Sequence, residues 1–170
     1  MPSMSNEIWV FNKDGGTNQL SISEPDFSAI SSTILKSLYT HAIWIRGLEN
    51  YSEQIRQSCI DIGAVNCHAI LGPANATILK PHIDQWDVLL YMLYGSRTYR
   101  VAEKYITIKK GEHLLIPKGI EHEVFCTKDS ATMNYGIDPT SELKIEDLKK
   151  NLDITSGLYN YHDFFINWRE

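Results

Sequence analysis

At 170 residues the chain is long enough for one domain with a real core, and its 43% hydrophobic and 22% charged residues make an ordinary globular balance. A net charge of −5, with no basic run longer than Lys109-Lys110 or Lys149-Lys150, argues against nucleic acid or an anionic membrane as partner. No stretch approaches the roughly 18 apolar residues of a membrane span, and Met1 to Asn6 has neither a charged nor an apolar signal region, so the expectation is a cytoplasmic protein with reduced cysteines at Cys59, Cys67 and Cys126.

Residues 8–11 and 19–22 predict two short strands joined through Asp14-Gly15-Gly16. Ser23 or Asp26 then caps a predicted helix in which Phe27, Ile30, Ile34 and Leu38 recur at helical spacing. Residues 41–46 predict a strand. Residues 52–62 predict a second helix, with Ile55, Cys59 and Ile62 on one face and Gly63 as the stop. Beyond it the pattern shortens. Strands are predicted at 65–71, 77–80, 87–93, 97–101, 106–108, 114–116, 123–126 and 132–136. Gly72-Pro73, Gly95-Ser96, Lys110-Gly111 and Pro117-Lys118-Gly119 separate several of them. Many short strands at close spacing imply a sandwich or barrel. A helix over 141–152, capped by Asp138 or Thr140, is predicted to follow. The aromatic tail, Tyr159, Tyr161, Phe164, Phe165 and Trp168, reads as a core-covering or homodimer-contact patch.

The chemistry concentrates at His82-Ile83-Asp84. In a strand, residues two apart share a face, so His82 and Asp84 are predicted to aim an imidazole and a carboxylate at one point. His122 follows forty residues later, just past the Pro117-Lys118-Gly119 turn. Two imidazoles and one carboxylate on one side of a metal make the facial triad of non-haem Fe(II) oxygenases, which leaves positions open for other ligands. Taken alone, the same pattern also fits a solvated acid and a hydrogen-bonded core histidine. His41, His68 and His113 read as structural or surface residues, and His162 as part of the tail.

Three segments together carry a family resemblance. Pro81-His82-Ile83-Asp84-Gln85-Trp86-Asp87-Val88 through Gly95-Ser96-Arg97-Thr98-Tyr99-Arg100-Val101 resembles the first metal segment of JmjC-type cupin oxygenases. The likeness is greatest to the bacterial ribosomal-protein hydroxylases that modify an arginine. Gly111-Glu112-His113-Leu114-Leu115-Ile116-Pro117-Lys118-Gly119-Ile120-Glu121-His122-Glu123 resembles their second segment, and Met133-Asn134-Tyr135 a third.

The resemblance implies a mainly β fold: a double-stranded β-helix (cupin or jelly-roll barrel) with flanking N-terminal helices and a short C-terminal helix. The chain then reads as one domain over 1–170, with its barrel core at about 64–138. It implies His82, Asp84 and His122 as ligands of Fe(II), with 2-oxoglutarate and O2 as co-substrates. Arg97 would grip the far carboxylate of 2-oxoglutarate, and Asn134 would line the same site. Thr77, on the strand predicted before His82, is a further candidate for a hydrogen bond to the co-substrate.

Two positions depart from the pattern: Met92 stands where the family often has Gln, and Tyr99 where it has Trp. The hydroxylases also carry dimerisation and winged-helix regions after the barrel, where this chain has only a short tail. The expected activity is hydroxylation of a C–H bond in a small metabolite, amino acid, or peptide or protein side chain, releasing succinate and CO2. Two alternatives remain: a metal-dependent cupin, dioxygenase or isomerase, that does not use 2-oxoglutarate, and a non-catalytic cupin binding module. The partners expected are a small-molecule or peptide substrate and a second copy of the chain, with no nucleic acid and no membrane.

Overall fold

The computed structural model describes residues 8–14, 16–19, 41–50 and 53–138. Ten strands and two helical segments run in the order β1 (Ile8–Phe11), β2 (Thr17–Gln19), β3 (Ile43–Ile45), a 3-10 turn (Leu48–Asn50), α1 (Glu53–Ile62), β4 (Ala64–Gly72), β5 (Asp87–Tyr94), β6 (Ser96–Val101), β7 (Lys104–Lys109), β8 (His113–Ile116), β9 (His122–Phe125) and β10 (Ser130–Ile137). The helix predicted around Phe27 to Leu38, the helix at 141–152 and the aromatic tail lie outside the described residues.

A seven-stranded sheet, ordered β2-β1-β3-β4-β10-β5-β8, faces a three-stranded sheet, ordered β7-β6-β9. All the pairings are antiparallel. Alternation along the central strands divides the large sheet into two faces. Odd-numbered residues of β4, β5 and β10, including Cys67, Ala69, Leu71, Leu89, Met133 and Tyr135, pack into a core with Ile55, Cys59 and Ile62 of α1. That helix face is the one its sequence spacing predicts. Even-numbered residues point the other way, towards the small sheet. There Leu90 and Met92 join Tyr99, Ile108 and Ile116 in a second core, and Ile70 joins Phe11, Ala42, Ile78 and Cys126 in a third.

Two expectations need correcting. The strand predicted at 77–80 is extended chain without a ladder, and His82 and Asp84 do not share a regular strand. Pro81 has no N–H to give, which interrupts any ladder at that point. The segment touches the small sheet through a single bridge, where His82 and His122 exchange backbone hydrogen bonds at 3.1 and 2.9 Å. Asp84 is placed instead by its carbonyl, which accepts from Gly119 N–H at 3.2 Å. Among the described residues no helix is long and apolar enough to cross a membrane.

Candidate metal centre and cavity

His82 and His122 are held at one point by their mutual bridge, with ring centroids 4.3 Å apart. Each ring then makes the same local bond. Nδ1 of His82 lies 2.7 Å from the Lys80 carbonyl, and Nδ1 of His122 lies 3.0 Å from the Ile120 carbonyl. A carbonyl only accepts, so each Nδ1 carries a proton, and Nε2 is the atom of each ring left to face Asp84 or, once deprotonated, a metal. Outer hydrogen bonds of this kind orient metal-binding histidines. Asp84 Oδ2 lies 3.2 Å from His122 Nε2 and 3.8 Å from His82 Nε2. All three ligand atoms fall within 4.8 Å of one another. Ligands about 2.1 Å from a metal and at right angles to each other sit about 3 Å apart; Asp84 and His122 are already near that spacing, and the His82 ring would have to close on them for all three to share one ion.

The charges agree with that use. The hydrogen bond from His122 holds the Asp84 carboxyl below its ordinary range; burial pushes the other way, and the charges of His82 and His122 reinforce the lowering. For His122, burial favours the neutral ring, but the bond to Asp84, the Ile120 carbonyl and the Asp84 charge together raise it.

The three side chains open on a cavity of about 550 Å³ between the sheets, within the size range of small-molecule sites. Arg97 of β6 lines its inner end and is 1% exposed. Its Nε donates to Ser130 Oγ at 2.7 Å, Nη1 to Thr132 Oγ1 at 2.8 Å, and Nη2 to the carbonyls of Ile70 and Ser130 at 2.7 and 3.0 Å. These bonds tie the two sheets together, and every acceptor is neutral. No carboxylate pairs with Arg97 among the described residues. Asn134 lines the same cavity, and its buried Oδ1 has no partner. Thr77 does not join them: it is exposed, and its hydroxyl donates to the Lys13 carbonyl at 3.3 Å.

Several cavity residues were not singled out by the sequence. His68, read as structural, lines the wall together with Trp44, Asn66 and Tyr99. The available signal was alternation: a histidine and an asparagine occupy inward positions of β4, between apolar outward ones.

No family model and no curated protein matches the chain. Solved structures do. The ribosomal oxygenase YcfD of Escherichia coli, solved with cobalt and succinic acid, superposes with a TM-score of 0.58 at 17% identity over 84% of this chain and 42% of that one. The likeness shows the fold, a double-stranded β-helix of antiparallel strands. A second YcfD structure gives the same TM-score at 16% identity. A cupin-2 domain protein from Shewanella frigidimarina gives 0.38 at 19% identity over 42% of this chain and 69% of that one. The chain therefore spans less than half the length of YcfD.

Proposed function

We propose that the chain is an Fe(II)- and 2-oxoglutarate-dependent oxygenase that hydroxylates a C–H bond and releases succinate and CO2. The observation that carries this reading is the joint placement of His82, Asp84 and His122 with an unneutralised buried arginine in one cavity. A guanidinium shut away from water needs an anion, and a planar fork suits a carboxylate. Four of its five N–H groups are already held in place, so Arg97 meets the co-substrate as a fixed charge. Tyr99 lies beside it and stays protonated, because burial raises the phenol above its ordinary range; it can add a hydroxyl donor. Asn134 lines the same cavity and can donate its amide to the same molecule. Iron, when bound by the three ligands, would supply the activation of dioxygen. The cobalt and succinic acid held by YcfD support the same combination of metal and dicarboxylate here.

The bonds that Arg97 already makes inside the chain favour a second reading, a metal-dependent cupin in which this arginine only joins the sheets. One experiment separates the two. Purified protein with Fe(II), ascorbate and 2-oxoglutarate is expected to release succinate. Zn(II)-loaded protein is expected to bind 2-oxoglutarate without turnover. Metal binding with no affinity for 2-oxoglutarate would select the second reading.

A further inference from the structure

Strand β4 turns two uncharged side chains into the cavity that the chemistry above does not use. Asn66 and His68 lie two residues apart on the inward face, about 7 Å along the strand. Across the ladder they stand opposite Gly136 and Asn134. A Cβ on Gly136 would come within 2.7 Å of Asn66 Oδ1, so the bare glycine is what gives the amide its place. Among the described residues, the His68 ring meets Trp44 edge-on at 5.5 Å and makes no hydrogen bond, and Asn66 makes none with its amide. Both side chains are half-buried, so their polar atoms are open to water or to a ligand in the cavity.

The wall is also specific in charge. Burial pushes His68 down to about 4; the nearby Asp84 acts upward and Arg46 downward, and the ring stays neutral. Arg46, stacked over Trp44 at 4.9 Å, places a positive charge at the mouth. Glu49 is there too, with its Oε2 taken by the Cys67 N–H at 3.0 Å. A neutral imidazole offers one donor and one acceptor, and a primary amide offers both kinds. Such a pair matches a planar amide and gives no counter-charge to a desolvated cation.

We infer that Asn66 and His68 form the prime-substrate subsite of the proposed oxygenase, and that this subsite takes an uncharged carboxamide rather than a guanidinium or ammonium group. The inference rests on the oxygenase reading for its role but not for its test. Full-length protein loaded with Zn(II) and 2-oxoglutarate, which does not turn over, is titrated with propanamide, N-acetylglycine methylamide or methylguanidinium. The His68 ring protons are followed by NMR. A saturable shift with a neutral amide, and none with methylguanidinium, is expected. Response to propanamide identifies a side-chain amide as the ligand, and response to the methylamide identifies a peptide bond. Asn66→Leu should weaken the amide roughly tenfold, with His68→Gln as the second variant should the first fail to fold. Silence towards both amides, or an equal response to methylguanidinium, overturns the inference. Failure of 2-oxoglutarate to bind in the same samples strikes the oxygenase reading instead.

Discussion

Nδ1 of His82 and Nδ1 of His122 are both spent on carbonyls two residues upstream, which leaves Nε2 of each ring for a metal. Removing either ring takes away one of three donors. His82→Ala or His122→Ala should therefore cost more Fe(II) affinity than the roughly 10- to 100-fold lost with an outer-shell partner; anaerobic titration checks it. Metal must also displace the proton that Asp84 helps His122 to keep. Affinity should fall with pH, with a midpoint above the ordinary histidine value. Arg97→Ala should raise the KM for 2-oxoglutarate by about 30-fold or more, since losing one side of a buried charge pair costs on the order of 2–5 kcal/mol, and should leave metal affinity in place. His68 runs in the opposite sense to His122. Its folded value, about 4, lies below the unfolded 6.5, so the unfolded chain binds more protons between those limits. Its contribution to stability is complete above about 6.5 and is lost as pH falls towards 4. The shift corresponds to at most about 3 kcal/mol, less for the part of the ring that the open cavity keeps solvated. Melting curves should show a shallower acid slope in His68→Gln than in the parent.

At the scale of elements, the period-two pattern of β4, β5 and β10 was readable, because each buries one face in the core that includes α1 and turns the other towards the small sheet. Strand β10, expected at 132–136, proved longer, at Ser130–Ile137, and is buried throughout. The extra residues, Ser130, Ala131 and Ile137, are strand because β4 and β5 run alongside them, and Ser130 also serves Arg97 with its hydroxyl and carbonyl, reasons no local pattern carries. The stretch at 77–80 has strand composition, but its neighbour Pro81 prevents a ladder, and composition cannot reveal whether a partner strand lies alongside. That His82, Asp84 and His122 come together was readable from residue types and spacing, although their geometry comes from one bridge and one turn rather than a shared strand face. The β5–β6 turn offers a test of how tightly an element fixes the site. Gly95 has φ +69, and a Cβ there would collide with the Asp129 carbonyl oxygen. Gly119 has φ +79 but nothing within 4 Å. Gly95→Ala should cost at least about 2 kcal/mol, or roughly 4–8 °C of melting temperature, and Gly119→Ala clearly less, because it carries only the backbone strain. Equal losses in a calorimeter would mean that the turn relaxes away from Asp129 and leaves Arg97 free to move.

Across the whole molecule, the two sheets are joined by a few polar ties that pass through the cavity. Arg97 reaches from the small sheet to β4 and β10, and the His82 segment touches β9 through one bridge. A metal held by His82, Asp84 and His122 would add a second tie between that segment and β9. A dicarboxylate reaching from the metal to Arg97 would neutralise the charge buried at the other end. Under the proposed function both ligands would bind only the folded chain, because neither the triad nor the cavity exists once the sheets separate. At 100 times its Kd a ligand of this kind adds about 2.7 kcal/mol to folding, or roughly 5–10 °C for a chain of this size. Zn(II) alone should therefore raise the melting temperature. 2-Oxoglutarate should add a further rise when metal is present and much less without it, since the dicarboxylate then has only its Arg97 end. In His122→Ala both increments should shrink together. In Arg97→Ala the metal increment should persist and the 2-oxoglutarate increment should disappear. If 2-oxoglutarate stabilised the metal-free protein as strongly as the loaded one, the two ends of the cavity would be independent sites, and the dicarboxylate would not bridge them.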